Sequence, residues 1–231
     1  YDAGQNAQEQ LIGSERNGLV YTCRGGFIDT AHVRDYADWT LYLAMEFARH
    51  LETGTRIDLP DGEGGQRTIV LQPVDPELVA TVGRRDLAAA LAASTAFRLS
   101  IWHEIATWYG WSSFSLFPER VSAFSPEDLY SNLLGAKLAG AIVSAGNDLS
   151  ETLFNEAMDS WLEQSMQYLG AGPAELGEEV MLSVDGLWWD SRARLPDPAL
   201  VLRRSIDVGL LQRPWIVPPD RVDATLSERL D

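Results

Sequence analysis

The stretch Arg84 to Tyr109, RRDLAAALAASTAFRLSIWHEIATWY, decides the fold. After a polar first turn, Leu87-Ala88-Ala89-Ala90-Leu91-Ala92-Ala93 is apolar on nearly every side, and a helix of that kind is buried in the middle of a domain. It therefore needs other helices around it. One spans about 30–51. Gly25-Gly26 lead into it, Asp29 is placed to cap it, and His32, Tyr36, Trp39, Leu43, Phe47 and His50 recur at spacings of three and four on one face. A third is expected over 125–144, with Ser125 as cap, Pro126 at the first helical position and Asp128 three residues after the cap, a capping box with Asp in place of Glu. Gly135 and Ala139, four apart on one face, predict close approach of a neighbouring helix. A fourth, over 149–169, follows Asp148, stops before Gly170 and has the amphipathic pattern of an outer helix.

The remaining elements are short. Leu19 to Cys23 reads as a strand, and 55–72 as a small hairpin around Asp61-Gly62-Glu63-Gly64-Gly65. Val180 to Val184, Leu187 to Trp189 and Val201 to Ile206 are expected C-terminal strands. Pro196, Pro198, Pro214, Pro218 and Pro219 make 196–231 a wrapping tail, and 1–18 is an N-terminal arm. The expectation is a single domain over 1–231 of the α+β class, predominantly α-helical, with the helix over 84–109 at its centre.

Composition narrows the chemistry. The 231 residues carry 34 acidic and 18 basic side chains, a formal net charge of −16, which repels phosphate backbones and argues against nucleic-acid partners. One cysteine, Cys23, excludes an intrachain disulfide and a multi-thiolate zinc site within the chain. No run approaches the roughly 18 apolar residues of a membrane span. The chain starts at Tyr1 without a basic and apolar leader, the expected look of a trimmed start. Only three histidines are available to any imidazole site.

Among these, His103 stands next to Glu104 inside the apolar helix, where two ionisable groups are costly unless partnered. His32 and His50 lie eighteen residues apart, about 27 Å along one helix, so one site cannot use both. His32 is in the first turn, where the positive end of the helix dipole disfavours protonation and leaves the imidazole free as a ligand; His50, in the last turn, reads as a cap. The candidate ion ligands are therefore His32 and His103, completed by Glu127 or Asp128, with Glu104 as general base and Asp35 as a second catalytic carboxylate. Trp108, Tyr109 and Trp111, with Arg34 and Asn132, are the candidate substrate contacts.

His103-Glu104 on an apolar helix locally resembles the zinc metallopeptidases that carry two histidines one turn apart with a Glu between them. That resemblance implies zinc at His103, Glu104 as base and Glu127 as a third ligand, but the place of the second histidine is held by Thr107, and the usual acid four residues after the third ligand is Ser131. More broadly, 21–35, 102–111 and 125–135 resemble an uncharacterised family of bacterial exported or envelope proteins. This implies a periplasmic or envelope location and no established activity.

Three functions follow as expectations. The first is a metal-dependent envelope hydrolase, with zinc as the candidate ion and a small-molecule, peptide or glycan substrate. The second is a metal-free glycosidase-like enzyme in which Glu104 pairs with Asp128 or Asp35 at about 5 to 9.5 Å. The third is a binding or scaffold protein whose His103-Glu104 pair only holds the core together.

Overall fold

A computed structural model describes residues 18–230 apart from 113–118, 148–149, 195–196 and 198. It is predominantly helical α+β, as the patterning predicts. In chain order the elements are β1 (Leu19–Thr22), β2 (Gly26–Asp29), α1 (Thr30–His50), β3 (Thr55–Asp58), β4 (Thr68–Leu71), α2 (Pro76–Val82), α3 (Arg84–Trp108), α4 (Asp128–Ser144), α5 (Glu151–Leu169), α6 (Ala174–Ser183) and α7 (Ala224–Leu230). The strands form two antiparallel hairpins, β1 with β2 and β3 with β4, with Leu19 opposite Asp29 and Thr55 opposite Leu71.

The body of the fold is the trio α1, α3 and α4, each packed on the other two. At one end Leu43, Ala44, Phe47 and Leu51 of α1 meet Ala88, Ala89, Ala92 and Ala96 of α3 and Ala136 and Val143 of α4, all buried. The alanines let the helices close on the larger side chains, and burying Phe47 alone contributes about 2–3 kcal/mol. There the beginning of α3 is tied to the ends of the other two helices: Arg84 Nη1 donates to the Ala48 carbonyl at 2.9 Å and Arg85 Nη1 to that of Val143 at 3.1 Å. Consequently α1 and α4 run the same way and α3 against them, which gathers the starts of α1 and α4 and the end of α3 at the opposite pole.

Gly135 produces the close approach its spacing predicts. A Cβ built there would stand 2.0 Å from the Val33 carbonyl oxygen, so only glycine lets α4 lie against the first turn of α1. Asp29 caps α1, its Oδ1 accepting from the backbone N–H of Ala31 at 2.8 Å and of His32 at 3.3 Å. The backbone N–H of Asp29 in turn donates to Ser131 Oγ at 3.0 Å, pinning the start of α1 to α4.

Several boundaries differ from expectation. Helix α4 begins at Asp128 rather than Ser125: only half of the capping box forms, with the Ser125 N–H donating to Asp128 Oδ2 at 2.7 Å. Helix α5 is capped by Ser150, whose Oγ accepts from the Leu153 N–H at 3.2 Å; the expected cap, Asp148, lies outside the described residues. The expected strand Val180 to Val184 is the second half of α6, where Leu176, Val180 and Val184 are buried four apart as a helix requires. Of the other C-terminal strands, the described residues form isolated bridges only, Trp189 pairing with Val201 and with Asp185. The Pro-rich tail wraps as expected and then packs: Val217 and Leu226 of α7 join Tyr21, Phe27, Val180 and Trp188 in a second small core.

Candidate metal centre

The pole where α1 and α4 start and α3 ends carries the ionisable groups. His32 stands one turn into α1, Glu104 one turn before the end of α3, and Asp128 opens α4. One ligand atom from each lies within 4.8 Å of the other two. His32 Nδ1 is 3.6 Å from Asp128 Oδ1 and makes no hydrogen bond. Two ligands of a tetrahedral zinc at about 2.1 Å each stand about 3.4 Å apart, so this pair already has the separation that one ion imposes.

The carboxylates are oriented by neighbouring polar groups. Glu104, 2% exposed, accepts the Phe124 N–H at 2.6 Å on Oε2. Phe124 has a left-handed backbone, φ +59°, uncommon for a bulky residue, and is held there from both sides because its carbonyl accepts the Ser205 N–H at 2.7 Å. Ser125 Oγ lies 2.9 Å from Asp128 Oδ1 and 3.1 Å from Glu127 Oε1. Burial, then the charges of Glu104 and Glu127, push Asp128 well above the usual carboxylate range. Burial is also the main cause that raises Glu127, to about 7. Buried acids crowded in this way want either protons or a cation.

The sequence-derived candidates are only partly gathered here. His32, Glu104 and Asp128 form the cluster; His103 is not a member. Its Nδ1 pairs with Glu63 Oε1 at 3.1 Å, at the tip of the β3–β4 hairpin, and its ring meets Trp111 edge-on at 5.6 Å. Burial opposes protonation of His103, yet the hydrogen bond to Glu63 and the charges of Glu104, Glu63 and Glu119 outweigh it and raise its pKa. Glu127 turns one oxygen to Ser125, and its Oε2 is buried without a partner.

Asp35 is exposed on the next turn of α1, and the surrounding protein mass raises its carboxyl against the opposing pull of His32. Arg34 points elsewhere, donating to Asp38 Oδ2 at 3.1 Å and to Asn155 Oδ1 of α5 at 2.6 Å. Trp108 carries the Arg204 guanidinium 4.5 Å above its ring, and Tyr109 is 85% exposed. Asn132 is fully buried one turn along α4 from Asp128, with neither side-chain polar atom hydrogen-bonded. Thr107, standing where the zinc peptidases have histidine, is buried with an unpartnered Oγ1.

Sequence reasoning passed over Glu63, Phe124 and Arg204. Only Glu63 gave a signal, an acid among four glycines and aspartates at a hairpin tip; the other two act through contacts between residues about 20 and 80 positions apart.

The family described as "Protein of unknown function (DUF4056)" matches residues 2–218, and the chain belongs to it. Neither curated proteins nor solved structures gave a match.

Proposed function

We propose that this DUF4056 chain is a metal-dependent hydrolase whose divalent ion is held by His32, Glu104 and Asp128. The observation that carries the reading is the convergence of three ligand atoms from three helices within 4.8 Å, with the imidazole nitrogen unpartnered. Three protein ligands leave a coordination position for water, the arrangement of catalytic rather than structural ions. An ion there supplies Lewis acidity and eases deprotonation of water.

The chain's own residues divide the remaining work. Glu104 is a ligand rather than the base expected from its place beside His103. The proton acceptor that the arrangement offers is Glu127, with its free Oε2 and a pKa of about 7, suited to transfer near neutrality. Asp35, exposed and close enough to feel both His32 and His103, stands where a substrate would enter. Peptide-like or cell-wall compounds remain the proposed substrates and zinc the first ion to try. The metal-free glycosidase reading is less well supported, because it leaves the unpartnered imidazole nitrogen of His32, gathered with the two carboxylates, without a role.

The test is calorimetric titration of chelator-treated protein with Zn²⁺, followed by peptide and cell-wall-fragment hydrolysis with and without the ion. One ion per chain is expected, with at least about 100-fold weaker binding in His32→Ala and Asp128→Asn and near-normal binding in His103→Ala. Wild-type protein that takes up no ion, or a His103→Ala loss as large as that of His32→Ala, would sink the reading.

A further inference from the structure

Among the described residues of the pole, Asn132 is the one with two orphaned side-chain atoms. It is 0% exposed, and both its amide oxygen and its amide nitrogen lack hydrogen-bond partners. An orphaned buried polar atom is destabilising, a penalty that a leucine of similar volume would not incur. The residue stands four positions after Asp128 on α4, so the two share a helix face, with Asn132 about 6 Å deeper. That face is turned inward, since Ala136, the next residue along it, is fully buried among Leu43, Ala92 and Ala96 of the other two helices. Asn132 thus lies beneath the cluster, between it and the apolar core.

We infer that Asn132 forms the floor of the ion site, its amide oxygen serving as a fourth protein donor to the ion that His32, Glu104 and Asp128 hold from above. This rests on the proposed ion site and adds to it a neutral amide donor. An amide carbonyl is a hard oxygen ligand, and with two carboxylates and one imidazole it makes the donor set oxygen-rich, a set that suits Mn²⁺, whose octahedral coordination keeps positions open for water beside four protein donors. The unmet acceptor then has a cause: in the ion-free protein the amide oxygen waits for its partner at the expense of stability.

The experiment compares wild type, Asn132→Leu and Asn132→Ala after chelator treatment, each melted without ion and titrated with Zn²⁺ and with Mn²⁺. Asn132→Leu is expected to melt no lower than wild type in the absence of ion, and to bind ion at least about 10-fold more weakly. Wild type that binds while Asn132→Leu binds within threefold of it overturns the role of Asn132 and leaves the three-residue site standing. Wild type that binds neither ion takes down both. If leucine overfills the position and the chain does not fold, Asn132→Ala decides by the same criterion, a loss of 10-fold or more supporting the inference and a change within threefold refuting it.

Discussion

The same three helices build two unlike ends. At one, Leu43, Phe47, Leu51, Ala88, Ala92 and Val143 are buried in an apolar contact that asks for nothing further. At the other, Glu104, Asp128, Ser131 and Asn132 are equally buried but polar, and four atoms of His32, Glu127 and Asn132 have no hydrogen-bond partner. Backbone geometry is shared, so the difference lies in side chains alone. The apolar end holds the fold; the polar end is carried by it at a cost, and that cost is the ground on which an ion site is proposed there.

Removing the large side chain at the apolar end is expected to have the greatest effect. Phe47→Ala should lower unfolding free energy by about 4 kcal/mol in denaturant melts while the folded fraction keeps its ion affinity. A change in affinity comparable to that of His32→Ala would mean that the ends are not separable.

Next in size is the pH response of the polar end. Glu127 is raised from 4.5 to about 7, chiefly by burial. Between those values the folded, ion-free protein binds a proton that the unfolded chain has released. Its stability is therefore highest below about pH 4.5 from this group and falls by roughly 3 kcal/mol as pH rises through 7. Glu127→Gln should flatten that fall and stabilise ion-free protein at pH 8. Urea unfolding at pH 5 and pH 8 measures it, and a wild-type stability that climbs over this range would contradict the assignment.

The smallest effect belongs to the hairpin tip. Glu63 bridges His103 and Arg67 from a partly exposed position, and its backbone carbonyl accepts the Trp102 Nε1–H at 2.9 Å. Glu63→Gln should cost under about 1 kcal/mol and leave ion binding within twofold. A tenfold loss of affinity would return His103 to the site.

Much of the apolar end was legible, because spacing reports it directly. Gly135 and Ala139 announced a close helix contact, and Asp29 the start of α1. Helix α2 was missed although Asp75-Pro76-Glu77 carries its signal: Asp75 Oδ1 caps by accepting the Glu77 N–H at 2.9 Å. Val180 to Val184 misled because a short apolar run fits a buried strand as well as a buried helix face. At the polar end the dipole argument singled out His32, and the acidic start of α4 supplied Asp128. The pairing of His103 was not legible: adjacency to Glu104 puts the two on different sides of one helix, and the acid that takes its nitrogen comes from forty residues away. Nor could sequence distinguish Glu127 from Asp128, since both have a buried carboxyl oxygen and only Asp128 brings one to His32 and Glu104.

The Tyr21 hydroxyl on β1 accepts the Val217 N–H at 3.1 Å, and a Cβ at Gly26 would strike the Trp215 carbonyl oxygen at 2.2 Å. Residues made early in synthesis are thus covered by residues made nearly two hundred positions later. The hairpin that delivers Asp29 and the capped start of α1 has no cover over its far side until the tail has left the ribosome, so the beginning of the fold waits for its end.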